Sequence, residues 1–198
     1  MSKVEFDCGK WLQEAEEFAL PNWSALPSIP LYMDQVMMFT GEALSLFERD
    51  EKQSLLTNSM INNYVKSGVV DHPVHKKYSK EHLSKLMMVG LLKQVLSIQD
   101  IAVLFSGDED AEQLYKDFAA AQSGALHETA AGVHPESDAA ALRAAALKLA
   151  AEATARQAVA QRILMALSDE KKPRNNQICN EQKPAWRIEC SIRKKDGI

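Results

Sequence analysis

Residues 57–104 read TNSMINNYVKSGVVDHPVHKKYSKEHLSKLMMVGLLKQVLSIQDIAVL. Thr57 or Asn58 is a good N-cap for a helix running to about Lys66, and Ser67-Gly68 is a good stop. Met60, Ile61, Tyr64 and Val65 supply its buried stripe, leaving Asn58, Ser59, Asn62, Asn63 and Lys66 outside. A short loop with Pro73, His75, Lys76, Lys77 and Tyr78 follows. Ser79 then caps a helix whose apolar face includes Leu83, Leu86, Met87, Leu91 and Val95. Ser97-Ile98-Gln99-Asp100 opens a further short helix through Phe105, as a capping box with Asp in place of Glu or Gln. Polar helix, glycine stop, basic loop and two more helices suit a domain that lays one helix into a nucleic-acid groove.

Upstream, residues 9–19 have the pattern of a short amphipathic helix. Pro21, Pro27 and Pro30 make an extended connector, since each fixes φ and restricts the residue before it. Trp23 and Leu26 pin that connector to a core. Leu31 to Phe47 reads as the second helix, and the polar run Glu48–Ser54 separates it from the next element. The methionines Met33, Met37, Met38, Met60, Met87 and Met88 fall at helical spacings and read as core packing. His72 and His82 read as surface residues.

Beyond Ser106 the composition shifts. Asp108, Glu109, Asp110 and Glu112 suit the positive end of a helix carrying Leu114, Tyr115 and Phe118. After a break at Gly132–Pro135, Glu136 to Leu167 is the longest helical run, and Ala119–Ala166 contains 19 alanines. Leu142, Leu149 and Ile163 fall on one heptad position, with Ala146, Ala153, Ala160 and Leu167 on the other; Arg156 interrupts the series. So thin a seam needs a partner, either residues 109–131 of the same chain or a second subunit. In the tail, Trp186, Ile188, Cys190 and Ile192 alternate with polar residues, which is strand periodicity without an evident partner strand.

The bulk numbers fit one domain plus an appendage: 198 residues, 46% hydrophobic, net charge −4. The charge is uneven. Residues 1–50 and 106–168 are acidic, whereas residues 54–105 carry Lys66, Lys76, Lys77, Lys80, Lys85 and Lys93 against Asp71, Glu81 and Asp100. A basic segment inside an acidic chain is the pattern of one face meeting phosphates. Cys8, Cys179 and Cys190 form no C-x-x-C pair, so they read as reduced thiols of a cytoplasmic protein. No apolar run reaches the ~20 residues of a membrane span, and the N-terminus lacks an apolar signal core. A phosphate-cradling glycine loop, G-x-S-x-G and H-E-x-x-H are absent, which argues against an enzyme. No cofactor or metal is expected, and His127 and His134 around Glu128 suit neither a metal pair nor a triad.

Ile61, Tyr64, Gly68, Val69, Val70, Pro73, Lys77, Tyr78, Ser79, Glu81, Leu83, Leu86, Leu92, Leu96, Ser97, Ile98 and Ile101 fall in places matching a winged helix-turn-helix. In these residues the segment resembles the mercury-resistance-regulator (MerR) family. LPSIPLYMDQV, LTNSMINNYVKSGVV, KKYSKEHL and LLKQVLSIQDI together are similar to the bacterial domain-of-unknown-function family 1836, over roughly residues 20–105. The MerR likeness implies that residues 57–66 are the recognition helix in the major groove of double-stranded DNA. Asn62 and Asn63 would read bases there, with Thr57, Asn58 and Ser59 at the helix start. Lys66, His75, Lys76 and Lys77 would contact phosphates, and Tyr78 would either pack the wing or donate to a phosphate. Asn62 stands where that family has arginine, and the wing from Pro73 to Tyr78 is short, so each subunit makes fewer backbone contacts.

The sequence therefore predicts a mainly α protein: a MerR-like winged helix-turn-helix followed by a helical C-terminal dimerisation region. Its segments are an N-terminal helix and connector (1–30), the DNA-binding domain (31–106), a self-association region (107–168) and a polar tail (169–198). The predicted function is a DNA-binding transcriptional regulator acting as a homodimer through the 109–167 helices. The alternative is a helical protein–protein adaptor without DNA binding. A small-molecule effector site between residues 109–131 and 136–167 is a third reading, for which the alanine-rich composition leaves little room.

Overall fold

The computed structural model describes residues 6–48, 54–107 and 109–170. Among them the chain is mainly helical: α1 (Cys8–Glu17), α2 (Met33–Leu44), α3 (Asn58–Lys66), α4 (Lys80–Leu92), α5 (Ile98–Leu104), α6 (Ala111–Ala131) and α7 (Ala139–Glu170). Single 3₁₀ turns at Trp23–Ala25 and Ser45–Phe47 follow α1 and α2. The strand-like pattern of the tail, Cys179 and Cys190, Asp108 and the polar run at 49–53 lie outside the described residues.

Local signals in the sequence fix most helix ends. Asp7 caps α1 and Thr57 caps α3, each accepting a backbone N–H of the first turn. Ser97 and Asp100 form the reciprocal box that opens α5. At the end of α3 the N–H groups of Gly68 and Val69 donate to the carbonyls of Val65 and Tyr64, both at 3.1 Å. With Gly68 at φ 74°, this is a Schellman motif, and the left-handed turn requires a residue without a Cβ penalty. At α4 the partner differs from a surface role for His82. Its Nδ1 accepts the Ser79 N–H at 3.0 Å, closing the cap where a Glu usually sits.

The main core gathers Leu20, Leu26, Val36, Leu44, Ile61, Tyr64, Leu83, Leu86, Met87 and Ile101 around α4, whose middle is buried on nearly every side. Gly90 permits the approach of α2, since a Cβ there would lie 3.1 Å from Leu44 Cδ1. Met38 departs from the expected methionine packing and is 72% exposed on α2.

The same core extends past Ser106. Tyr115 of α6 is fully buried, and its hydroxyl donates to the Pro21 carbonyl at 2.7 Å. Trp23 packs against its ring at 6.0 Å, so the proline connector is held from both sides. The second half of α6 lies on α1, where Leu12, Ala15 and Ala130 form a smaller core. His127, inside α6, donates from Nε2 to the Phe18 carbonyl at 2.6 Å. Thus α6 clamps α1 to the central domain.

α7 takes α5 as its principal neighbour rather than α6. Leu164 is buried there, and the Gln157 amide donates to the Val95 carbonyl at 2.7 Å. The heptad reading puts Ile163 on the seam with Leu142 and Leu149, yet Ile163 is 56% exposed and Leu164 takes the inner place. A straight α-helix drifts by about 20° per heptad, so over three heptads the inner face moves on by roughly one residue.

Candidate nucleic-acid interface

The nine residues of α3 present one polar row to solvent. Asn58, Ser59, Asn62, Asn63 and Lys66 are exposed, while Ile61, Tyr64 and Val65 are buried beneath them. This division follows from the helical period, which puts residues four apart on one side. Tyr64 belongs to the core, and burial pushes its phenol up from its ordinary pKa. Thr57 has its hydroxyl committed to the Met60 N–H at 3.2 Å.

After α3 the chain forms a minimal hairpin. Val74 and Lys77 pair across it, with the Lys77 N–H donating to the Val74 carbonyl at 2.9 Å. His75 and Lys76 at its tip have φ of 51° and 64°, the sign pattern of a type I′ turn. Such turns favour Asn-Gly, so two non-glycine residues with positive φ place strain at the tip. The side chains held there are a histidine and an exposed lysine. Replacing both, His75→Asn with Lys76→Gly, is expected to stabilise the fold by about 1 kcal/mol, read as a higher urea midpoint.

The base of the hairpin is tied to the connector. Leu31 and Tyr78 exchange backbone bonds of 2.9 and 2.8 Å. Tyr78 is buried edge-on against the His82 ring at 5.7 Å. Its ring therefore packs at the base of the hairpin. Lys77 lies with its ammonium 5.0 Å from the centre of the Tyr32 ring, and Lys80 sits 4.9 Å over Trp23. The sequence reading puts Tyr32 inside a helix from 31; instead it precedes α2, with its N–H on the Gln35 side chain at 3.0 Å.

The basic window divides into two sets. Lys85 donates to Asp71 at 2.7 Å, which holds the Asp71 carboxyl below its usual range. Lys93 donates to the Leu55 carbonyl beside Met60, and burial lowers its pKa. These two lysines brace the fold. Lys66 and Lys76 are exposed and Lys77 is half-buried, so the outward charge concentrates on α3 and the hairpin. Nothing in the sequence separates the two sets, because Asp71 and Leu55 lie far from their lysine partners along the chain.

Among the described residues no group of His, Cys, Asp and Glu is placed to hold a metal, and no helix is long and apolar enough to cross a membrane. Residues 21–118 match the family model of a domain of unknown function, DUF1836. The match begins at the connector residue whose carbonyl receives the Tyr115 hydroxyl and ends three residues beyond Tyr115. The DUF1836 segment thus takes in the connector, α2 to α5 and the first turns of α6. No curated protein and no solved structure matches the chain.

Proposed function

We propose that the protein is a cytoplasmic DNA-binding transcriptional regulator that acts as a homodimer, with α3 as a MerR-like recognition helix. The observation that carries this reading is the exposed Asn58, Ser59, Asn62, Asn63, Lys66 row, followed in the chain by a hairpin tipped with His75 and Lys76. Asn62 and Asn63 read base edges in the major groove, where asparagine pairs bidentately with adenine. Lys66, Lys76, Lys77 and His75 contact phosphates and give affinity without sequence preference. α7 supplies the second half of the mechanism. With its inner face on α5, it leaves Ala155, Val159, Ile163 and Leu167 outward at four-residue spacing. Two copies joined along that stripe would present paired α3 helices to a two-fold DNA site. The reading assigns no catalytic chemistry, cofactor or metal.

Binding to pooled genomic fragments tests it. With at least four phosphate contacts per dimer, raising salt from about 100 to about 200 mM weakens retention roughly ten-fold. Absence of salt-dependent retention from any fragment would sink the proposal. The competing reading, a protein–protein adaptor without DNA binding, draws on the exposed apolar Ile29, Tyr32 and Val74 in the connector and hairpin. It predicts dimers with no retention of DNA at any salt.

A further inference from the structure

α1, the Ser45–Phe47 turn and the first half of α7 leave a cleft of about 840 Å³ between them. That lies within the ~300–1,000 Å³ typical of small-molecule sites. Its walls are apolar: Trp11 and Leu12 from α1, Phe47 from the turn, and Leu142, Ala145 and Leu149 from α7. Alanine at 145 opposite the larger Trp11 and Leu12 makes the room, so the alanine-rich helix creates space rather than removing it. The expected effector position between α6 and α7 holds a smaller recess of about 310 Å³, which shares Val133, Ala145 and Leu149 with this cleft.

One acidic side chain reaches the cleft. Glu48 lines it, and its Oε1 accepts the Leu55 N–H at 3.1 Å, which fixes the carboxylate in place. The Trp11 indole N–H is committed to the Leu46 carbonyl at 3.1 Å and is not offered to a ligand. Glu14 stands with Glu48 around an adjoining recess that also touches Trp11. Among the described residues no lysine, arginine or histidine lines either space, and the bases Lys148 and Arg156 line a separate recess on the α6 side of α7. An apolar chamber with a fixed carboxylate at the end formed by α1 and the Ser45–Phe47 turn complements a cation on an apolar body.

We infer that this cleft binds a small amphipathic amine, its apolar body against Trp11, Leu12 and Leu149 and its ammonium group paired with Glu48. The site does not depend on the DNA reading, and its test involves no DNA. Octylamine, octanoate and octanol carry the same chain with a positive, negative or neutral head. Titrated calorimetrically into the full chain, octylamine gives one-site saturable binding and raises the melting temperature. Octanoate binds at least roughly ten-fold more weakly, as expected for losing one favourable charge pair and gaining a repulsive one. Glu48→Gln keeps the acceptor for Leu55 but removes the charge, and brings octylamine down to the level of octanol. Ala145→Phe fills the cleft and abolishes binding of all three, with the helical circular-dichroism signal retained. Equal binding of octanoate and octylamine, indifference to Glu48→Gln, undiminished binding to Ala145→Phe, or no saturable binding of any probe would each overturn the inference.

Discussion

Replacing Tyr115 with alanine is expected to lower the free energy of unfolding by roughly 3–5 kcal/mol, the range for emptying a buried aromatic site. Tyr115 is fully enclosed, faces Trp23, and holds the connector through Pro21. A domain holds only about 5–15 kcal/mol in total, so the variant loses a large share of its stability. Tyr115→Phe separates packing from hydrogen bonding: it keeps the ring, leaves the Pro21 carbonyl without its donor, and loses about 1–2 kcal/mol. Burial pushes the Tyr115 phenol from its ordinary 10.0 up to about 12. Between those values the folded chain keeps a proton that the unfolded chain releases. The contribution is therefore complete below pH 10 and is lost as pH rises towards 12. Urea midpoints followed by far-UV circular dichroism, at neutral and alkaline pH, check all three points. Tyr115→Phe loses less of its stability than the natural chain on going alkaline. An unchanged midpoint for Tyr115→Ala would mean that α6 does not belong to the central core.

What could be read from the sequence was local. Thr57, Ser79, Ser97 and Gly68 announce helix ends because a cap satisfies backbone groups within three or four residues. The apolar period similarly separates Tyr64 from Asn62 and Asn63 on α3. What the sequence does not display depends on partners distant in the chain: Tyr115 with Pro21, His127 with Phe18, Lys93 with Leu55. A lysine count cannot distinguish Lys85, committed to Asp71, from Lys76, exposed at a hairpin tip. That tip was itself hidden, because the residue types that announce a type I′ turn are absent from it. The heptads of α7 indicated a face needing cover, but hydrophobic period names neither the neighbour nor the small drift that puts Leu164 inward instead of Ile163.

That drift leaves α7 with two distinct faces. Its inner face is satisfied by α5 within the chain, and the stripe from Ala155 to Leu167 is left on the other side. Intramolecular docking and the proposed dimerisation therefore do not compete for the same side chains. In the proposed mechanism this matters because a hairpin with a two-residue tip offers few phosphate contacts. A single subunit is then a weak binder, and pairing doubles both the base-reading and the phosphate contacts.

Asn62→Glu together with Lys77→Glu is the second large effect: DNA binding is expected to fall by roughly 10³-fold or more, with the dimer intact. A good bidentate base contact is worth about 1–3 kcal/mol, and Asn62 is exposed on α3 to make one. Lys77→Glu converts a phosphate attraction into a repulsion at the hairpin. With about 1 kcal/mol per subunit for the Lys77 change, two subunits together lose about 4–8 kcal/mol, which is roughly 10³ to 10⁶ in affinity. The fold should tolerate the change. Glu is at least as good a helix former as Asn, and losing the Lys77–Tyr32 contact removes about 0.5–1 kcal/mol. Sedimentation should therefore give the natural oligomeric state while retention of DNA disappears. Single changes sort the roles: Lys76→Ala weakens all sequences alike and lowers the salt slope by about one per subunit, whereas Asn62→Ala relaxes preference at one position of the site. A double variant that holds DNA with the natural salt slope would show that α3 and the hairpin are not the interface, and the exposed apolar residues of the connector would then be the surface to pursue.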